Sequence, residues 1–295
     1  MNGCSQPAFR DLSAAPIGIF DSGVGGLTVL RELDRQLPQE SILYFGDTAR
    51  LPYGNRSAEE ILHFVRDIMD WMVEQGVKMV MMACNTSSAL VLEQVQQEYD
   101  LPILGLIWPG ARAAAQAGRR IGVIATPATV ASNAYRRAIL EVEPSAQIWQ
   151  VGCPEFVPLI EQGQLQHPRT RAVAATYLQP LVAAQIDALV YGCTHYPHLE
   201  PVLGQILPSA VQRVDPAVHL VATAARELTL LNLRHRGSAQ KTRFYVSGEP
   251  EGFANLSVRW LGYRPRVEQV IFAPIRELRV NSVPSGQVST SLNLQ

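Results

Sequence analysis

The chain has 295 residues, a length at which about two domains are expected. Charged residues make up 17% of it and the net charge is -1, so no general field attracts nucleic acid or an anionic membrane. We therefore expect neither as a partner. Only two of the 25 basic residues are lysines, Lys78 and Lys241, which restricts any chemistry that needs a lysine amine.

The cysteines and the chain ends predict a cytoplasmic location. Cys4, Cys84, Cys153 and Cys193 lie far apart without a CxxC pair, and disulfide frameworks are typical of short secreted chains, so reduced thiols are expected. The first residues lack the apolar segment of a signal peptide. The longest apolar run, 77–84, contains a lysine and is far shorter than the ~20 residues of a membrane span. Residues 281–295 are rich in small polar side chains and are expected to fray.

Short apolar runs alternate with amphipathic stretches along the chain. Continuous apolar runs predict buried parallel strands at 17–20, 42–45, 79–83, 103–107, 121–125, 148–151 and 188–191. Helical spacing predicts helices at 27–37, 57–75, 87–99, 128–140 and 169–185, with a capping box from Ser57 to Glu60. This alternation indicates an α/β fold with parallel sheets, whose ligand crevice lies beyond the carboxyl ends of the strands.

A weak internal repeat divides the chain. The segment Ile17-Gly-Ile-Phe-Asp-Ser is similar to Ile121-Gly-Val-Ile-Ala-Thr, 104 residues later, and Cys84 and Cys193 end two further matching strands. Chance similarity between βα units is the alternative. The repeat predicts two similar domains facing each other across a cleft. The first is expected at 1–109, completed by 215–280 with further strands at 244–247 and 267–271, and the second at 110–214.

The first strand is followed by a glycine-rich turn, Asp21-Ser-Gly-Val-Gly-Gly. A dinucleotide fingerprint would need a glycine at position 28, which is Thr28, and no P-loop motif occurs in the chain. Two interpretations stay open. The turn either presents free N–H groups to an anion such as a carboxylate, or is a tight connection capped by Asp21.

Two cysteine motifs carry the most information, Cys84-Asn85-Thr86 and Cys193-Thr194-His195. A thiol between a strand and a helix N-terminus is expected to have its pKa lowered toward neutrality. One such cysteine would commonly be a buried structural residue, but two at repeat-related positions favour a function. Inversion of a Cα centre needs a base on one face and an acid on the other, and matched thiols supply both. Asp21 and His195 are the candidate assistants.

Four segments resemble the glutamate racemases of the aspartate/glutamate racemase family. They are Ile17-Gly-Ile-Phe-Asp-Ser-Gly-Val-Gly-Gly-Leu-Thr-Val, Tyr44-Phe-Gly-Asp-Thr-Ala-Arg-Leu-Pro-Tyr-Gly, Ala83-Cys-Asn-Thr-Ser-Ser-Ala and Gly192-Cys-Thr-His-Tyr-Pro. The resemblance covers residues 17–275. It implies two α/β domains related by a pseudo-twofold with the active site between them. It also implies a cofactor-independent, metal-free two-thiol racemase that supplies D-glutamate for peptidoglycan.

The resemblance also implies roles for individual residues. Cys84 and Cys193 would be the acid/base thiols, assisted by Asp21, His195 and Glu161. Substrate contacts would come from Asp21, Ser22, Pro52, Tyr53, Gly54, Asn85, Thr86, Thr126, Thr129, Thr194 and His195. The sequence departs from the family at Ala125, where glycine is usual. Glutamate is the expected small-molecule partner, and a homodimer is left open.

Other functions explain less of the pattern. A pyridoxal-phosphate racemase needs a Schiff-base lysine. A thiol hydrolase would use one cysteine and leave its repeat-related counterpart idle, and an amino-acid-binding protein would use neither. Cys193, His195 and His198 could suggest a metal site, but the sequence has no second cluster of ligands to complete it. Aspartate racemase is the nearest alternative, since only the motif match distinguishes the two substrates.

Overall fold

The computed structural model describes residues 12–272, so the predictions on Cys4 and on 281–295 lie outside the described residues. The strands are β1 Ile17–Asp21, β2 Ile42–Gly46, β3 Met79–Met82, β4 Ile103–Gly105, β5 Arg120–Ala125, β6 Gln147–Gly152, β7 Ala188–Gly192, β8 Gln212–Val214, β9 Arg243–Val246 and β10 Val267–Gln269. The helices are α1 Leu27–Gln36, α2 Ala58–Glu74, α3 Asn85–Leu90, α4 Leu92–Glu98, α5 Ile107–Ala117, α6 Pro127–Ala131, α7 Ala134–Val142, α8 Phe156–Glu161, α9 Pro168–Ala183, α10 Glu200–Ile206, α11 Pro216–Leu230 and α12 Pro250–Leu261.

The strands form two parallel sheets, which confirms the predicted fold class. The first sheet has the order β10-β9-β2-β1-β3-β4 and the second has the order β6-β5-β7-β8. The order β2-β1-β3-β4 in the first sheet matches β6-β5-β7-β8 in the second, as expected if one unit is repeated. Strands β9 and β10 extend the first sheet. The predicted domain limits at residues 109 and 214 stay a prediction.

The central strands of the first sheet are fully buried. Every residue of β1, β2 and β3 is buried, in agreement with their continuous apolar sequences. The predicted capping box of α2 is present: the Ser57 hydroxyl accepts a hydrogen bond from the Glu60 amide, and the Glu60 carboxylate accepts one from the Ser57 amide. Within residues 12–272, no helix is long and apolar enough to span a membrane.

Several predicted element limits are wrong. The strand expected at 103–107 ends at Gly105, and Ile107 begins α5, because an apolar run does not by itself distinguish a strand from a buried helix start. The helix expected at 87–99 is divided at Val91. The helix expected at 128–140 is divided before Asn133, whose left-handed backbone (φ 54°) interrupts helical geometry. The sequence does not predict strand β8, because its residues Gln-Arg-Val do not form an apolar run.

A buried ion pair lies at the start of β3 and connects it to other segments of the chain. Lys78 Nζ lies 2.5 Å from Glu40 Oε2, and both side chains are almost fully buried. The same ammonium donates to the carbonyls of Ser13 and Leu233, so one side chain joins three distant segments. Lys78 is therefore occupied in a structural contact.

Candidate active site

A cavity of about 590 Å³ is lined by loops from both sheets. Asp21 ends β1, Cys84 follows β3, Thr126 follows β5 and Cys193 follows β7, so four strands deliver polar side chains at their carboxyl ends. The cavity is lined by every predicted site residue except Thr129: Asp21, Ser22, Pro52, Tyr53, Gly54, Cys84, Asn85, Thr86, Thr126, Glu161, Cys193, Thr194 and His195. The fold therefore brings together residues that are up to 174 positions apart (from Asp21 to His195).

The first thiol, Cys84, lies at the start of α3 and is buried. Its Sγ lies 3.9 Å from the Ser22 hydroxyl, and the Ser87 hydroxyl donates to its carbonyl oxygen. Burial and the nearby Asp21 carboxylate raise the pKa of the Cys84 thiol to about 11. The expectation of a pKa near neutrality is wrong for this thiol, because desolvation and a like charge outweigh the favourable strand-to-helix position.

The second thiol, Cys193, belongs to a chain of three side chains. Its Sγ lies 3.7 Å from Nδ1 of His195, whose Nε2 lies 3.1 Å from Oε1 of Glu161. Burial lowers the pKa of His195, but the contacts with Cys193 and Glu161 outweigh it and raise the pKa to about 10. Gly25 permits this arrangement, since a Cβ at that position would lie 2.4 Å from His195 Nδ1.

The Asp21 carboxylate connects the two halves of the site. It accepts a hydrogen bond from the Gly23 amide at 2.7 Å and one from the Thr194 hydroxyl at 3.5 Å. Its burial raises the pKa of the carboxyl group. The group that reaches Cys84 Sγ is the Ser22 hydroxyl, which the sequence reasoning had assigned only to the substrate. Assistance by Asp21 to Cys84 stays a prediction.

Three threonine hydroxyls meet between the two sheets. The Thr86 hydroxyl lies 3.0 Å from that of Thr126 and 3.3 Å from that of Thr129, and the last two lie 2.9 Å apart. Thr86 and Thr126 line the cavity, whereas Thr129 is buried behind them. The predicted contact of Thr129 with a substrate therefore has no direct support in the lining of the cavity.

The loop with Pro52, Tyr53 and Gly54 forms another wall. The Tyr53 side chain is buried, and its hydroxyl donates to Asp47 at 2.5 Å. Asp47 also accepts a hydrogen bond from the Ser247 hydroxyl. The phenol oxygen of Tyr53 is therefore engaged inside the protein rather than free for a ligand.

The cavity wall offers neutral donors. Neither Lys nor Arg belongs to its lining over the described part of the chain. The two lysines of the chain lie elsewhere, Lys78 in its ion pair and Lys241 in an exposed loop, so this cavity has no Schiff-base lysine. No cluster of three metal-ligating side chains occurs among residues 12–272.

Sequence reasoning missed several lining residues and one residue beneath the surface. Leu51, Pro127, Cys153 and Val157 belong to the wall. Tyr135 lies outside the wall, yet its hydroxyl donates to the Asn85 side chain at 2.7 Å. A tyrosine within an amphipathic helix has no sequence signal for such a contact.

Comparisons with known proteins show the family to which this chain belongs. Residues 17–224 match the family Asp/Glu/Hydantoin racemase. The glutamate racemase of Gloeothece citriformis is 65% identical over 267 residues, which cover 90% of this chain and 96% of that protein. A glutamate racemase isoform from Bacillus anthracis has a TM-score of 0.85 and 36% identity, covering 88% of this chain and 98% of that structure.

A third relative was solved with a ligand. The glutamate racemase of Francisella tularensis in complex with D-glutamate has a TM-score of 0.83 and 34% identity, covering 88% of this chain and 98% of that structure. The chain therefore belongs to the Asp/Glu/hydantoin racemase family, and within it to the glutamate racemases.

Proposed function

We propose that this protein interconverts L- and D-glutamate without a cofactor, with Cys84 and Cys193 acting on opposite faces of Cα. The observation that carries the proposal is the pair of thiols, each following a corresponding strand of its sheet and each lining the same cavity. High identity to glutamate racemases supports the choice of substrate.

In each direction of the reaction, one proton is removed from Cα and another is added to its opposite face. A thiolate on one side takes the Cα proton, and the thiol on the other side gives its proton to the opposite face of the resulting carbanion. The high pKa of Cys84 keeps its proton in place, which suits the role of acid. When Cys84 is the acid, Cys193 is the base. His195 is adjacent to its sulfur, and the charged imidazole stabilises the Cys193 thiolate.

The cavity wall fits an amino acid with two carboxylates. Ser22, Asn85, Thr86 and Thr194 offer neutral hydroxyl and amide donors. Such donors hold carboxylates while avoiding the desolvation of added full charges. The Asp21 and Glu161 carboxylates also line the cavity, where their negative charges would attract the substrate ammonium. The glutamate racemase of Francisella tularensis binds D-glutamate, which supports the same substrate class here.

The proposal extends to the cellular role. D-Glutamate made by this family supplies peptidoglycan synthesis. Two thiols that must cycle between acid and base need a reducing compartment, so we place the reaction in the cytoplasm. A homodimer is also proposed, and sedimentation of the purified chain would measure it.

Chiral analysis of the products tests the function. The purified full chain is incubated separately with L-glutamate, D-glutamate and L-aspartate, without added cofactor. We expect each glutamate enantiomer to approach an equal mixture and aspartate to stay unchanged. Added chelator or pyridoxal phosphate should have no effect. A strict requirement for a metal or pyridoxal phosphate contradicts the mechanism, and racemisation of aspartate alone favours the aspartate racemase alternative.

A further inference from the structure

One buried tyrosine contacts both thiol loops. Tyr135 lies near the start of α7 and its side chain is fully buried. Its hydroxyl donates to Oδ1 of Asn85 at 2.7 Å. Asn85 directly follows Cys84, so the tyrosine of one half of the molecule holds a side chain next to the thiol of the other half.

The ring of Tyr135 packs beside the second thiol loop. A Cβ built on Gly192 would lie 3.2 Å from Cε2 of Tyr135, and one built on Gly110 would lie 3.3 Å from its Cε1. Gly192 directly precedes Cys193. The ring is thus confined between two backbone segments, one of which carries Cys193.

The hydrogen bond determines which end of the Asn85 amide faces the tyrosine. Over residues 12–272, Asn85 Oδ1 is the one acceptor that the Tyr135 hydroxyl has. Burial raises the pKa of Tyr135 well above its ordinary value, so the phenol keeps its proton and stays a donor. The amide oxygen therefore points toward Tyr135, and the NH₂ group points away from it.

The NH₂ group of Asn85 is free for a ligand. Its Nδ2 atom is buried and has no hydrogen-bond partner among the described residues. Asn85 also lines the cavity. A buried donor without a partner is unfavourable, so a substrate oxygen that accepts from it is bound more tightly.

We infer that Tyr135 is a positioning residue that orients the Asn85 amide, so that its NH₂ group donates to a substrate carboxylate. This inference rests on the proposed function. The contact of Tyr135 with the Cys193 loop places the same donor in a constant position relative to the second thiol. Because a carboxylate is present in the substrate and in the carbanion alike, the donor contributes to binding in both states.

The test is the Tyr135→Phe variant of the full chain, which keeps the ring and removes the hydroxyl. We expect KM for both enantiomers of glutamate to rise about tenfold while kcat changes much less. The midpoint of thermal unfolding is measured in parallel. Tyr99→Phe is the matched control, because it removes a hydroxyl that donates to Asp70 outside the cavity. Parental KM values in Tyr135→Phe overturn the inference.

A double-mutant cycle separates positioning from stability. If Tyr135 acts through Asn85, the change Tyr135→Phe has little further effect on KM in an Asn85→Ala background. Full additivity of the two changes overturns the inference. An inactive parental enzyme overturns the proposed function instead, so the two failures are distinct.

A second variant covers the case in which Tyr135→Phe does not fold. Asn85→Asp keeps an acceptor for the Tyr135 hydroxyl but replaces the NH₂ group by an oxygen. A substrate carboxylate would then face a carboxylate, and we expect KM to rise more than tenfold. A parental KM in Asn85→Asp shows that the NH₂ group does not hold the substrate and overturns the inference.

Discussion

The Nε2 atom of His195 lies 3.1 Å from Oε1 of Glu161, at the end of α8. The imidazole is buried, whereas the Glu161 side chain is 31% exposed. The Glu161 carbonyl accepts a hydrogen bond from the guanidinium of Arg259 on α12, which holds this turn against the helix. Glu161 is thereby placed to favour the charged form of His195.

The first prediction concerns stability and pH. The pKa of His195 rises from 6.5 to about 10 on folding, so the folded chain binds this proton more tightly. Below pH 6.5 the stabilisation is complete, and it is lost as the pH rises through about 10. The difference in free energy of unfolding between the parental protein and Glu161→Gln should therefore shrink with rising pH. Urea unfolding across that pH interval measures it.

The control for this prediction is Glu141→Gln, which removes an exposed carboxylate in the same half of the molecule. Its effect on the free energy of unfolding should be small at every pH. A Glu161→Gln difference that stays constant or grows toward pH 10 would show that the carboxylate does not favour the charged imidazole.

The second prediction concerns the thiols. Cys84→Ser and Cys193→Ser should each lower kcat for racemisation in both directions by about 100-fold or more, because serine is a far weaker acid. Chiral chromatography of the products measures both directions. Cys153→Ser is the control, since Cys153 lines the cavity without a repeat-related counterpart. A parental rate in either thiol variant would make that cysteine structural.

The third prediction uses a partial reaction. Elimination from a β-substituted glutamate analogue needs proton removal at Cα but no reprotonation there. Each single variant, Cys84→Ser or Cys193→Ser, retains one thiol and should act on one enantiomer of the analogue. The two variants should prefer opposite enantiomers. The same preference in both would mean that the thiols do not face opposite sides of the substrate.

The fourth prediction concerns the threonine cluster. Thr86→Ala removes a cavity-lining hydroxyl and should lower kcat/KM for both enantiomers by an amount equivalent to about 1–3 kcal/mol, as for a hydrogen bond to a charged group. Steady-state kinetics measure the loss. Thr176→Ala is the control, because that exposed hydroxyl donates to a carbonyl of its own helix. An unchanged kcat/KM in Thr86→Ala would remove Thr86 from the substrate site.

The fifth prediction tests the buried ion pair independently of catalysis. Lys78→Met leaves Glu40 charged and buried, and should reduce the free energy of unfolding by about 3–5 kcal/mol. Lys78→Met combined with Glu40→Leu should recover part of this loss. Arg66→Met breaks an exposed pair with Glu98 and should cost less than about 1 kcal/mol. Equal losses of unfolding free energy in Lys78→Met and Arg66→Met would show that the buried pair contributes no more to stability than the exposed pair.

The fold class and most of the residues that line the cavity could be predicted from the apolar runs and motifs of the sequence. Parallel strands buried on both faces need continuous apolar runs, and that pattern is local enough to read from 17–20 or 188–191 without a structure. The carboxyl ends of such strands share an edge of the sheet. Cys84 and Cys193 follow strands of different sheets, so this rule places each thiol at the carboxyl edge of its own sheet. Their position in one crevice was predicted from the internal repeat, which indicates two domains that face each other across a cleft.

The proton affinities of the site residues and the contacts between the two halves could not be predicted without the folded chain. The pKa of Cys84 depends on how deeply the assembled domains bury it and on the approach of Asp21, neither of which a local pattern contains. The hydrogen bond from Tyr135 to Asn85 joins residues 50 positions apart. Such contacts arise from packing between distant segments, whereas the sequence pattern reports the preferences of neighbouring residues. Burial and partner geometry, which set proton affinity, exist only once those segments are packed.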